Sequence, residues 1–161
     1  MSASSSSMAI RAGRPDDAAE LTELALRSKA HWGYSDAFMA ACRAELTVSP
    51  EQFEDRNFRV RVAELGDRRV GYHAIERQPG GGYELDALFV APDFIGSGLG
   101  RRLLEDARHI ARDWGARELL IQGDPNAAGF YEAMGAVLVG TRPSGSIDGR
   151  ELPLYRLTLA G

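Results

Sequence analysis

The chain has 161 residues, 44% of them apolar and 26% charged, which suits one domain able to bury about 70% of its unfolded surface without covalent staples. A net charge of −4 argues against a protein that grips nucleic acid through its phosphates, and no apolar run approaches the ~20 residues that span a bilayer. Cys42 is the only cysteine, which leaves no intrachain disulfide, and with His31, His73 and His109 it makes no metal-ligand spacing, so no metal is expected.

Met1 to Ser7 is serine-rich and lacks the basic and apolar parts of a signal peptide, so it reads as a disordered leader before a single domain over 8–161, in a cytoplasmic protein. Ala9–Ala12 is a short strand. Pro15-Asp16-Asp17 opens a helix, with Asp16 as cap, and Leu21, Leu24, Ala25 and Ser28 follow at helical spacing to an end near Gly33. Ser35–Cys42 is a second helix, and Pro50 starts a further turn. Phe58–Leu65 alternates with period two, turns at Gly66-Asp67-Arg68 and returns as Val70–Glu76; Tyr83–Val90 is the next strand. Leu99, Leu103, Ala107, Ile110 and Trp114 share one face of a long helix that Gly115 stops. Leu119–Gln122 is a buried strand, and Asn126 caps a helix through Met134. Val137–Thr141 and Leu152–Leu159 close the chain around the polar loop 142–150. This order gives an α/β fold: one domain with a mixed sheet of about seven strands flanked by helices.

Between the strand ending at Val90 and the long helix lies Gly96-Ser97-Gly98-Leu99-Gly100, followed by Arg101 and Arg102. Glycines let a backbone turn tightly and approach a ligand closely, and the first amides of a helix have no internal partner. Such a turn can cradle phosphate. A P-loop needs lysine after its last glycine, and Lys29, the sole lysine, is far away. The dinucleotide fingerprint needs glycine where Arg101 stands.

What remains resembles the GNAT acetyltransferase superfamily. Its Gln/Arg-x-x-Gly-x-Gly/Ala signature is matched at Gly98 and Gly100 but departs at Ile95, and Asn126-Ala127-Ala128-Gly129-Phe130-Tyr131 with Gly135 is similar to a second family segment. The resemblance implies a mostly antiparallel sheet splayed between its fourth and fifth strands. It also implies acetyl-CoA as donor, held by Phe89, Val90, the turn from Ile95 through Gly96, Ser97, Gly98, Leu99 and Gly100 to Arg101, and by Asn126 and Phe130. Asn126 serves equally well as a cap alone, and Phe130-Tyr131 as packing.

The implied reaction is transfer of acetyl to a primary amine by direct attack in a ternary complex. Tyr131 resembles the family's general acid; a phenol near its usual pKa of ~10 stays protonated at neutral pH. The base is open among Glu84, Asp86, which shares its face if the strand is regular, His73 on the neighbouring strand, and water. Family acceptors are bound by the first helices and the loop before the last strand. Here those hold Trp32 and Tyr34, which wall a pocket or bury a turn, with Arg142 and Arg150 to fix a carboxylate and Asp148 to draw an amine. His73 is a further weak contact. A small-molecule amine is the expected acceptor. A non-catalytic acyl-CoA sensor of the same fold is the alternative, and a homodimer pairing through Leu152–Leu159 is compatible with both.

Overall fold

Residues 58–90 form three successive antiparallel strands whose two faces are both covered by helices from before and after them, so the middle strand is buried on six consecutive residues. The structure, a computed structural model, describes residues 8–159; the expected leader lies outside the described residues. The strands are β1 (Met8–Ala12), β2 (Phe58–Leu65), β3 (Arg68–Arg77), β4 (Tyr83–Val90), β5 (Glu118–Gln122), β6 (Val137–Pro143) and β7 (Glu151–Thr158). The helices are α1 (Ala18–Ala30), α2 (Asp36–Leu46), α3 (Leu99–Asp113) and α4 (Ala128–Ala133). They build one seven-stranded sheet in the order β1-β2-β3-β4-β5-β7-β6. Every neighbouring pair is antiparallel except β4 and β5, so the expected mixed sheet is present.

Alternation on β3 divides the core. Tyr72 and Ala74 pack with Leu21, Leu24 and Ala25 of α1. Ile75, on the other face, packs with Leu104, Ala107 and Ala111 of α3. The amphipathic stripe read along α3 therefore faces the sheet, as a helix with one apolar side must.

Three expectations change. Asp17, not Asp16, anchors the start of α1: it is fully buried and accepts from the Arg14 backbone amide at 2.7 Å. Burial alone would raise its carboxyl, but bonds from Arg11 and Arg69 hold it well below the usual carboxylate range. The cap before α4 is Asp124, whose side chain accepts from the Asn126 amide, with Pro125 at the first helical position. Lastly, the closing strand β7 lies between β5 and β6. Its main chain is already paired on both sides, so it cannot join subunits edge to edge. Of the end strands, β6 leaves Val137, Leu138 and Val139 exposed.

Candidate active site

β4 and β5 share register only at Glu84–Leu120 and Leu85–Ile121. Beyond Leu85, β4 stays bonded to β3 as far as Val90 but leaves β5, so its main-chain groups on that side have no strand partner. The gap opens into a cleft of about 870 Å³ lined by Asp86–Val90, by the glycine turn and by residues around Tyr131. A bulge lies where the strands part: Ala74 pairs with Ala87 and Ile75 with Leu85, leaving Asp86 as the extra residue. In consequence Leu85 and Leu88, three apart, both pack toward the α3 core, while Ala87 and Phe89 pack toward α1. The strand is not regular at Asp86, yet Glu84 and Asp86 both line the cleft.

The donor side is the turn before α3. Gly96 has φ +84° and Gly98 φ +91°, a left-handed conformation that L side chains rarely adopt. A Cβ at either would meet no protein atom within 4 Å, so the space above the turn is open. The amides of Ile95 and Ser97 bond Pro92 and Phe94, and that of Leu99 bonds the Ser97 hydroxyl at 3.3 Å. Those of Gly96, Gly98, Gly100 and Arg101 take no partner among the described residues. Ile95, Gly96, Gly98, Gly100 and Arg101 line the cleft; Ser97 and Leu99 do not. Leu99 is buried in the core, and Ser97 acts by tying the turn together. Unpaired amides at a helix start, with a guanidinium beside them, form an anion site.

Tyr131 closes this side. It is 7% exposed, lines the cleft, and packs between Phe130 and Tyr155 with ring centroids 5.2 and 5.8 Å away. Its hydroxyl makes no hydrogen bond to the described residues. Burial first, then nearby Asp124 and Tyr155, raise it above the ordinary phenol range, so it carries its proton at neutral pH. Phe130 and Asn126 also line the cleft. The Asn126 side chain donates to Asp124 Oδ1 at 2.9 Å and to the Tyr34 hydroxyl at 3.0 Å.

Asp124, which sequence reasoning missed, ties distant segments together. Lys29 Nζ stands 2.8 Å from Oδ2, and the Tyr34 hydroxyl donates to the same oxygen at 2.8 Å. Arg150 Nη2 donates to the Tyr34 oxygen at 2.9 Å. Tyr34 stacks on Phe38 at 4.1 Å. Tyr34 and Arg150 thus support the wall rather than line it, while Lys29 and Trp32 line it. The signal for Asp124 was present: Asp followed by Pro is a helix-start pair.

On the acceptor side Glu84 is bound by Arg142 Nη1 at 3.0 Å. Asp86 makes no hydrogen bond or ion pair with the described residues. It is exposed at the cleft, and partial desolvation there, then Glu76, Glu84 and Glu45, push its carboxyl up to about 6. Tyr72, another residue that sequence reasoning missed, lines the cleft beneath it. His73 is corrected: it points to the opposite face, fully buried, with Nε2 2.8 Å from Asp106 Oδ2, and does not line the cleft. Burial depresses its pKa despite that carboxylate. Asp148 is exposed outside the cleft.

Comparisons with known proteins agree with this geometry. Residues 19–136 match the model of the acetyltransferase (GNAT) family. No curated protein sequence matches the chain. Among solved structures, a GCN5-related N-acetyltransferase of Rhodopseudomonas palustris is 26% identical, with a TM-score of 0.73 over 95% of each chain. A GNAT-family protein of Desulfovibrio desulfuricans is 24% identical, with a TM-score of 0.75 over 96% of this chain and all of that one. The PaiA N-acetyltransferase of Thermoplasma acidophilum, solved with coenzyme A, is 19% identical, with a TM-score of 0.77 over 94% of this chain and 99% of its own. The match across most of the chain, on a sheet that parts between β4 and β5 above a glycine turn, carries the conclusion that this protein belongs to the GNAT acetyltransferase family.

Proposed function

We propose that the protein transfers an acetyl group from acetyl-CoA to the primary amine of a small molecule, both substrates being bound together. The observation that carries this reading is the set of unpaired amides at Gly96, Gly98, Gly100 and Arg101 facing an open cleft beside the unpartnered Tyr131 hydroxyl. The site fits coenzyme A: these amides and Arg101 suit a diphosphate, and the unpaired edge of β4 suits the amide groups of pantetheine. The thioester supplies an acetyl group activated toward amines.

The chain's own residues supply the rest. Asp86, free of partners and titrating near neutrality, takes a proton from the incoming ammonium. That role passes from Glu84, which Arg142 engages. Ala91 bonds Val70 and, two residues back, Phe89 pairs with Tyr72, so it is the main-chain amide of Val90 that lies on the unpaired edge and polarises the carbonyl. Asp86 passes the ammonium proton to solvent. As the new N–C bond forms and the C–S bond breaks, Tyr131 gives its proton to the departing sulfur, and the second proton, shed by the acylated nitrogen, restores the Tyr131 hydroxyl.

The test is release of free CoA from acetyl-CoA across a panel of primary amines. An amine-dependent release that falls in Tyr131→Phe, with CoA affinity kept, is the expected result. Tight CoA binding with no release for any amine would make the protein a sensor instead.

A further inference from the structure

We propose that the acceptor is a primary amine carried on an apolar body of about one ring, its amine received between the Asp86 carboxylate and the Tyr72 hydroxyl; this rests on the acetyl-transfer reading above. Tyr72 is only 2% exposed, and its hydroxyl bonds to none of the described residues. Leaving such a group unsatisfied on burial is costly. Among the described residues the one fully sealed polar side-chain atom without a partner is His73 Nδ1. The Tyr72 hydroxyl is therefore not sealed, and because Tyr72 lines the cleft, it opens there, ready for a ligand.

The carboxylates beside it are not equivalent. Glu84 holds Arg142, Glu45 accepts from the Ser146 hydroxyl, and Glu76 accepts from Gln78. Asp86 alone in this group is free, so the site offers one place for one ammonium. Around it the walls are apolar: Phe58 and Val60 from β2, Ala74 from β3 and Ala87 from β4. Two alanines between larger side chains leave room for a ring. A carboxylate lodged there would lose its hydration and face Glu45, Glu76 and Glu84, which disfavours zwitterions, while an apolar floor suits a ring better than a long polar chain. Trp32, 45% exposed at the rim, extends the apolar surface outward.

The experiment measures kcat and KM for 2-phenylethylamine, ethylamine, spermidine and glycine, with CoA affinity by calorimetry as the control for an intact fold. Burying a ring predicts kcat/KM for 2-phenylethylamine about 30-fold above ethylamine, with spermidine and glycine lower still. Tyr72→Phe is expected to raise KM for 2-phenylethylamine about tenfold while kcat moves less than about threefold. A merely structural tyrosine would not split the two constants in this way. Ala87→Leu, which fills the floor, should invert the preference between 2-phenylethylamine and ethylamine. Turnover that favours spermidine or glycine, or a KM unmoved in Tyr72→Phe, overturns the acceptor class and leaves acetyl transfer standing. No CoA release with any amine overturns both.

Discussion

On the proposed donor side of the cleft, the groups left unpaired are backbone amides from one short run, held by glycines at positive φ. On the acceptor side they are side chains from α1, β2, β3, β4 and β6, drawn together by pairs such as Lys29–Asp124 and Arg142–Glu84. Backbone recognition depends on chain conformation and tolerates most side chains. Side-chain recognition depends on which residues stand where. A family can thus keep the first and vary the second, so the donor is readable from the fold while the acceptor belongs to this chain.

Four substitutions would break or sharpen that contrast. Asp86→Asn should have the largest effect, lowering kcat by about 10²- to 10⁴-fold with CoA affinity unchanged. It should also raise thermal stability at pH 7.5. Because the folded pKa is raised to about 6, the stability linked to Asp86 is full below about pH 4 and is lost as pH rises through 6. The gain stays under about 1 kcal/mol, since cleft solvent screens the charge. In the unsubstituted protein, kcat/KM should rise with pH through about 6.

Gly98→Glu comes next, weakening CoA affinity about 100-fold by calorimetry, through strain at φ +91° and repulsion at the anion site. The fold should persist, because no protein atom occupies the space. A retained affinity would remove the cradle from the donor side. Tyr131→Phe should cost roughly 10- to 100-fold in turnover with CoA affinity kept.

Asp124→Ala should have the smallest effect on chemistry, lowering stability by about 1–2 kcal/mol through the lost cap while raising acceptor KM more than donor KM. Burial opposes its ionisation, yet Lys29 and the Asn126 amide lower its pKa. The stability it adds is therefore present above about pH 4 and lost as pH falls through the folded value. Equal loss of donor and acceptor binding would mean that the two sides are not independently built.

Legibility followed range. The turn at 96–101, the α3 stripe and the β2–β3 hairpin rest on neighbours in sequence, and each was readable. Tyr72 was not, because in a strand with Val70 and Ala74 it looks like any core residue; only its unpartnered hydroxyl at the cleft sets it apart. His73 looked like a candidate base because alternation alone cannot say which face of β3 meets the cleft.

The sequence by itself determined the element order, the left-handed glycines before a helix and the tyrosine following them at the last helix, since these rest on local conformational preference. The resemblance implied that β4 parts from β5; tertiary structure alone decided that the parting begins beyond Leu85 and that a bulge there leaves Asp86 as the free carboxylate. It also decided that residues 95 positions apart, such as Lys29 and Asp124, meet. The physical reason is that register, bulges and long-range charge pairs are settled by packing between elements, which no short stretch of chain contains.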